Sequence, residues 1–307
     1  MKQFKNILVV APIDKQLIRQ AASILKTSQS RLTLMSVAPQ IDQALVKTDS
    51  GKTVDLQNLL MKDLKAELDQ EALKLKDEDF RVRVVVTSGQ PFIEVIRQVI
   101  SKKHDLVMML ADGVTSVREQ LFGTLSSHLM RKCPCPVWII KPTRRKKLRN
   151  VFAAVDPDPN DPVRNALNVD IVERALTIAQ SHNAKLHIVH AWDSLGGEAT
   201  RTRRWMTKAE IRLFIEQDAA DHKKRLDQLL KSTTDGSEIV HMIQGRPGAV
   251  IPELIERENA ELLVMGTVCR TGIPGFFIGN TAEMILSQVD CSVLTVKPRE
   301  FESPVKL

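Results

Sequence analysis

The sequence predicts an α/β protein built as two tandem, doubly wound parallel sheets of five strands each. Three observations carry that reading: the chain length, an internal repeat, and a strict alternation of strand and helix patterns inside each repeat. At 307 residues the chain is about twice a common domain length of roughly 150. Apolar residues make up 43% and charged residues 26%, which suits a globular chain with two cores to bury.

The repeat is read from residues that seldom recur by chance. Gly89 and Gly245 stand 156 apart, and so do Pro91 and Pro247, Gly123 and Gly279, Cys135 and Cys291, Lys141 and Lys297, and Pro142 and Pro298. One register held through Gly, Pro and Cys marks a duplication. Earlier in each copy, Lys5-Asn6-Ile7-Leu8 answers Arg149-Asn150-Val151-Phe152 at an offset of 144. The second copy therefore carries about 12 additional residues, most of them between Asp156 and Asp170. There Asp156, Asp158, Asp161 and Asp170, interspersed with Pro157, Pro159 and Pro162, read as a stiff polar loop. The boundary near Lys146 gives domains 1–145 and 146–307.

In the first copy, Asn6–Ala11 is a short apolar run rich in Ile and Val, a buried strand. Leu17–Lys26 repeats apolar residues at helical spacing, and Arg31–Val37 is a second strand. Leu56–Leu75 is a long amphipathic helix, with Leu60, Leu64, Leu68, Ala72 and Leu75 on one face. Arg81–Thr87 alternates as a third strand, and Gly89-Gln90-Pro91 introduces a helix over Phe92–Ser101. Asp105–Leu110, Leu121–Lys132 and Val137–Ile140 complete the copy as strand, helix and strand. The second copy repeats the order with Val151–Val155, Ile171–Gln180, Lys185–Ala191, Glu210–Leu230, Glu238–Ile243, Ala249–Asn259, Leu262–Met265, Thr281–Gln288 and Val293–Val296. Alternating βαβ units imply parallel sheets covered by helices and right-handed crossovers.

Charge and cysteine usage narrow the function classes. The net charge of +7 permits contact with nucleic acid or acidic lipid without requiring either. Much of the excess lies in Lys141–Arg149, which fits a phosphate-binding patch or a solvated linker; its place at the boundary and its lack of aromatics favour the linker. No specific nucleic-acid partner is expected. No stretch approaches the roughly 18 apolar residues of a membrane span. The N-terminus has no signal-peptide pattern, and Cys133, Cys135, Cys269 and Cys291 lack a disulfide-framework spacing, so a cytoplasmic setting is expected.

Open parallel sheets bind ligands beyond the carboxyl ends of their strands, where the strand order reverses. The loops after strands one and four of each copy are therefore the places to look. In the second copy strand four runs into Gly266-Thr267-Val268-Cys269, nine further residues, then Gly279-Asn280-Thr281, and strand one ends at Asp156. Glycines let a backbone approach a ligand closely, and N–H groups opening a helix favour phosphate. Asn280 or Thr281 is placed to cap the helix that follows and to meet a phosphate oxygen.

These residues resemble the universal stress protein family, whose loop has the form G-x2-G-x9-G-[ST] after strand four, with an Asp ending strand one. The string GTVCRTGIPGFFIGNTAEMI looks like the tandem subclass called UspE, and the resemblance spans essentially the whole chain. It implies a Rossmann-like fold, and an intramolecular pseudo-dimer joined through the fifth strands. It also implies an adenine nucleotide, ATP or ADP, with Mg²⁺ accompanying the phosphates. By the same resemblance, Asp156 would accept bonds from the ribose hydroxyls and Val155 and Ala191 would line the adenine slot. Met265 would join the nucleotide-binding set, and Gly266, Cys269, Gly279, Asn280 and Thr281 would border the phosphates.

The departures from the family pattern fall at defined positions. Cys269 stands where the second Gly would be and Asn280 where Ser or Thr would be. The first copy has Leu110 in place of the first Gly, and Pro12 at the position of Asp156, with Asp14 two residues on. The first copy is expected not to bind nucleotide. Either loop would equally serve as a plain strand-to-helix turn.

The remaining candidates are weaker. His128, Cys133 and Cys135 have no standard zinc spacing, and Cys269 reads as a spectator thiol more readily than a reactive one. Trp192, Trp205, Met206, Ile211 and Phe214, mixed with Arg201, Arg203 and Arg204, would suit an amphiphile such as a fatty acyl chain, or ordinary packing under a lid. There is no Ser-His-Asp order, no paired carboxylates on a helix face and no Walker loop, so no dedicated catalyst is expected; a slow ATPase rests on family analogy alone. The leading expectation is a stress-response protein binding nucleotide in its second copy. The alternative is an amphiphile- or partner-binding module that has abandoned nucleotide. Whether two chains pair further is left open.

Overall fold

The computed structural model describes residues 4–25, 31–42, 44–47, 53–75, 81–111, 124–143, 147–193, 206–267 and 278–307. These fall into two compact units. One is formed by residues up to 143 together with Phe301–Leu307, the other by residues 147–267 and 278–300.

The N-terminal unit contains β1 (Asn6–Val10), α1 (Lys15–Leu25), β2 (Arg31–Ala38), β3 (Leu45–Lys47), β4 (Thr53–Asp55), α2 (Leu56–Lys74), β5 (Arg81–Ser88), α3 (Pro91–Lys102), β6 (Leu106–Leu110), α4 (Thr124–Lys132) and β7 (Val137–Ile140). Its parallel strands lie in the order β7-β6-β1-β2-β5. Central strands buried on both faces read as continuous apolar runs, and Ile7, Leu8, Val9, Val107, Met108 and Trp138 are all inaccessible to solvent. α2 packs on β2 and β5, α1 on β6, and α3 and α4 pack together. The antiparallel β3–β4 pair is an addition that the sequence pattern does not show, because three-residue strands are too short to display a period.

The C-terminal unit repeats the plan with β8 (Asn150–Ala154), α5 (Pro162–His182), β9 (Lys185–Trp192), α6 (Lys208–Thr233), β10 (Ile239–Gln244), α7 (Pro247–Arg257), β11 (Leu262–Gly266), α8 (Asn280–Leu286) and β12 (Ser292–Val296). Its parallel order is β10-β9-β8-β11-β12. In both units the chain steps outward from its first strand, then returns to build the other side, which is the doubly wound pattern the sequence predicts.

The segment Asp156–Asp170 departs from the expected loop. α5 starts at Pro162, nine residues before the helix read from the sequence. Asp161 caps it by accepting from the Arg164 N–H at 2.9 Å, and Pro162 occupies the first turn. An Asp-Pro pair opening a helix fits the rule that proline suits the first helical position, where its missing N–H costs nothing. Much of the additional length is therefore helix rather than loop.

The duplication is visible in backbone detail. Gly89 and Gly245 have φ of 140° and 149°. Their N–H groups reach the ends of β2 and β9, at Ala38 O (3.1 Å) and Trp192 O (2.8 Å). Asp105 accepts from the N–H groups of Lys5 and Asn6 at 2.8 and 3.0 Å; Glu261 does the same for Arg149 and Asn150 at 3.0 and 2.8 Å. Gly245 is the more constrained turn, since a Cβ there would lie 2.5 Å from Val250 Cγ1. Gly245→Ala is expected to destabilise the C-terminal unit by about 2 kcal/mol, through the positive φ and the clash together. Urea unfolding of the variant checks this, and a midpoint equal to the parent's would contradict it.

Candidate functional site

In the C-terminal unit the strand order reverses between β8 and β11. Ala154 is registered against Met265 and against Val189. Carried forward, that register sets Val155 level with Gly266, and Asp156 level with Thr267 and with Ala191 on β9. Val155, Ala191 and Met265 are buried, and they gather with Asp156 and Gly266 at one end of three adjacent strands. This is the crevice in which such sheets hold ligands.

Each strand end is fixed by backbone bonds. The Val155 N–H donates to Val189 O at 2.9 Å and the Thr267 N–H to Val296 O at 3.3 Å. The Asp156 N–H donates to Asn168 Oδ1 on α5 at 3.0 Å, leaving the Asp156 carboxylate 46% exposed. Asn168 is buried, and its Nδ2 has no hydrogen-bond partner among the described residues. The Arg164 guanidinium lies 3.5 Å from Asp156, 3.1 Å from Asp158 and 3.5 Å from Asp161, so one cation sits amid three carboxylates. Gly266 has a packing reason of its own, because a Cβ there would meet Leu167 Cδ2 at 2.9 Å.

Beyond β11, the buried Lys297 ammonium donates to Thr267 Oγ1 at 3.1 Å, and the Gly279 N–H donates to Thr267 O at 3.2 Å. Gly279 is the N-cap of α8, with no side-chain cap. The expectation that Asn280 or Thr281 caps this helix is thus corrected. Both lie inside the first turn and are exposed, one step too late to fold back on it. Cys269 lies outside the described residues, as do Trp205, Arg201, Arg203 and Arg204.

Two histidines that the sequence reading passed over stand behind the crevice. His190 Nδ1 is 3.0 Å from Val155 O, and His190 Nε2 is 2.8 Å from His222 Nδ1. A carbonyl only accepts, so His190 donates from Nδ1 and accepts from His222 at Nε2. His222 Nε2 lies 3.6 Å from Asp218, and the Trp192 ring stacks on His222 with centroids 5.4 Å apart. Burial pushes His190 below the usual imidazole range, against the opposing pull of the Val155 carbonyl and Asp156. The sequence signal was weak: His190 and His222 are 32 residues apart and meet only through the β9–α6 packing.

In the N-terminal unit, Asp14 accepts from the Leu17 N–H at 2.7 Å and so caps α1. Pro12, at the place of Asp156, has no carboxylate, and Gly123 and most of that loop lie outside the described residues. His128 stacks on Phe92 with centroids 4.2 Å apart, while Cys133 Sγ and Cys135 Sγ lie 3.6 Å from each other.

A family model described as "Universal stress protein family" matches residues 3–141 and again 152–297. The chain belongs to the universal stress protein family. It carries that domain twice. The "Universal stress protein E" of Salmonella typhi is 32% identical over 226 residues, covering 73% of this chain and 70% of that protein. The Photorhabdus laumondii protein of the same description is 26% identical across 100% of this chain and 99% of its own length. Among solved structures, a protein of unknown function from Pseudomonas aeruginosa matches with a TM-score of 0.69 at 24% identity, covering 97% of this chain and 94% of that one. A universal stress protein from Archaeoglobus fulgidus matches with a TM-score of 0.63 at 18% identity, covering 97% and 98%. These structures confirm the fold of this universal stress protein. Among its described residues no helix is long and apolar enough to cross a membrane.

Proposed function

We propose that this tandem universal stress protein binds an adenine nucleotide, ATP or ADP, at the switch point of its C-terminal unit. The observation that carries the proposal is the emergence of Asp156 and Gly266–Thr267 side by side from adjacent strands at the reversal of strand order. A half-exposed carboxylate there is suited to accept bonds from a ribose diol, as a carboxylate does in other doubly wound nucleotide sites. Ala191 and Met265, which by register share the face of Asp156, offer the base a short apolar wall, with Val155 beside Asp156 at the strand end. Gly266, Gly279, Asn280 and Thr281 border the path for the phosphates, which would bring Mg²⁺ with them; Cys269 belongs to the same set by the family's loop pattern. Arg164 competes for Asp156 in the free protein and supplies a cation at the rim once the ribose takes its place.

The test is the melting temperature with and without millimolar ATP–Mg²⁺. A ligand that binds only the folded chain raises it. Asp156→Ala is expected to weaken binding by about tenfold or more, since a hydrogen bond to a charged group contributes about 1.5–3 kcal/mol. An unchanged melting temperature in the parent, or equal shifts in parent and variant, rejects this assignment.

A further inference from the structure

The opposite end of the N-terminal unit holds a second concave surface, far in character from the switch point. A cavity of about 370 Å³ opens at the amino ends of β1, β2 and β5, beside the last turn of α3. Arg31, Arg81, Arg83 and Lys102 line it, with Thr33 and the buried His104 as its inner wall.

Strand register explains why the cations converge. Arg31 on β2 is paired with Arg81 on β5, and Thr33 with Arg83. Residues level with one another on parallel strands, and residues two apart on one strand, share a face of the sheet. All three guanidinium groups therefore rise from the same face, and α3 brings Lys102 to them. None of the four cations has an ion pair or hydrogen bond to a carboxylate among the described residues. Asp105, three residues beyond Lys102, accepts from the backbone of Lys5 and Asn6, while Asp77, Glu78 and Asp79, just before Arg81, lie outside the described residues. His104 adds no charge. Its Nδ1 donates to Asn6 O at 3.2 Å, and burial holds the ring below the usual imidazole range, opposed by that carbonyl and Asp105, with Arg31 and Arg83 acting alongside burial.

Charges on an exposed edge strand often serve only to prevent edge-to-edge pairing. The second repeat argues against that explanation here. By strand register the counterpart of Arg83 is Ile239, which is 39% exposed, and by the 156-residue offset the counterpart of Lys102 is Glu258. The same fold thus tolerates an apolar edge and an acid at these positions. Like charges on directly opposite strand positions, as at Arg31 and Arg81, weaken a sheet rather than support it. A cluster that the fold does not require, and that no carboxylate among the described residues balances, marks a site for an anion.

We propose that this arginine cavity of the N-terminal unit binds a compact polyphosphate group, such as the di- or triphosphate of a small metabolite. Planar guanidinium groups form paired hydrogen bonds with phosphate oxygens, and three of them on one face match more than one phosphate. The volume lies in the range of small-molecule sites. Among the described residues the cavity lining holds no aromatic ring apart from the inward His104, so these residues offer no stacking platform for the bases of a single strand.

The probe is sodium tripolyphosphate, titrated calorimetrically into the full-length chain at constant ionic strength. Asp156→Ala should leave its affinity within about twofold, whereas Arg31→Gln with Arg83→Gln should weaken it by about 100-fold, near tenfold for each charge-assisted fork. The melting-temperature rise with ATP–Mg²⁺, measured in the parent and in the arginine double variant, separates failure of this site from failure of the nucleotide assignment above. Binding by the double variant equal to the parent's, or loss in Asp156→Ala alone, overturns the proposal. So does a single-stranded oligonucleotide that binds more tightly at equal phosphate charge, which would make the surface a nucleic-acid contact. Should the double variant fail to fold, the His104 imidazole resonances of the parent decide: tripolyphosphate is expected to shift them, and unchanged resonances overturn the assignment.

Discussion

Asp170→Ala is expected to destabilise the C-terminal unit by about 3 kcal/mol, the low end of the cost of breaking a buried ion pair. Asp170 Oδ1 lies 3.2 Å from Arg174 Nε, one turn along α5, and both side chains are only 7% exposed. Removing the carboxylate takes the opposite charge from beside a guanidinium buried away from water. An exposed pair at the same i,i+4 spacing, such as Lys65–Asp69, contributes a few tenths of a kcal/mol, because water screens it and competes for both partners. Burial alone separates the two cases. The double replacement Asp170→Leu with Arg174→Met should recover most of the loss, since apolar residues of similar volume can substitute for a buried pair. Urea unfolding of the three proteins gives the comparison. A single variant within about 0.5 kcal/mol of the parent would mean that the pair is solvated in solution.

Asp170 also shows where the sequence is legible and where it is not. The parallel sheets, their doubly wound order and the duplication follow from apolar runs, alternation with helical spacing, and glycine and proline at one offset. Each of those signals is local, or is a repeat of a local signal. The crevice was legible to the same extent, because Asp156 and Gly266 each end a strand and topology alone brings strand ends together. Asp170, by contrast, reads in sequence like Asp156, Asp158 and Asp161, as one more acid of a proline-bearing segment. Only the Asp161 cap and Pro162 at the first turn reveal that α5 begins there and carries Asp170 inward. Side-chain pairings across elements were not legible at all. Arg164 reaches Asp156 through the helix start that was missed, and Lys297 reaches Thr267 across 30 residues. His190 and His222 carry no mark in sequence, since a lone histidine reads the same whether it packs or bonds. The arginine cavity was hidden for a different reason. Arg31, Arg81 and Arg83 lie on two strands that are remote in sequence, and only the β2–β5 register makes them one cluster.

Acidification is expected to loosen the C-terminal unit before the N-terminal one. Burial, reinforced by Lys147, pushes His182 down to about 4, and burial, then the neighbouring His241, does the same for His187 against the opposing charge of Glu258. His190 and His241 are also held low, chiefly by burial. The packing shows why a proton is unwelcome. His187 stacks on Phe152 with centroids 4.2 Å apart, which shields it from water, and its Nδ1 lies 2.9 Å from His241 Nε2, so a charge on it would lose hydration and oppose a charge on the second imidazole. The unfolded chain, with histidines near 6.5, binds protons that the folded chain refuses between about pH 6.5 and 4. Stability is therefore fully present above pH 6.5, falls as the pH drops through that window, and is lost in full only below about 4. At pH 5, His182 and His187 would each withdraw on the order of 1–2 kcal/mol once solvent screening is allowed for. The N-terminal unit has only His104 and His128 displaced in the same direction, chiefly by burial. Hydrogen exchange followed by mass spectrometry at pH 7 and pH 5, corrected for intrinsic rates, resolves the two units. Peptides from β9 and β10 should lose protection at pH 5 while those from β1 and β6 keep theirs, and His187→Phe should restore part of the difference. Equal loss in both units would show that these imidazoles take up protons without penalty in the folded chain.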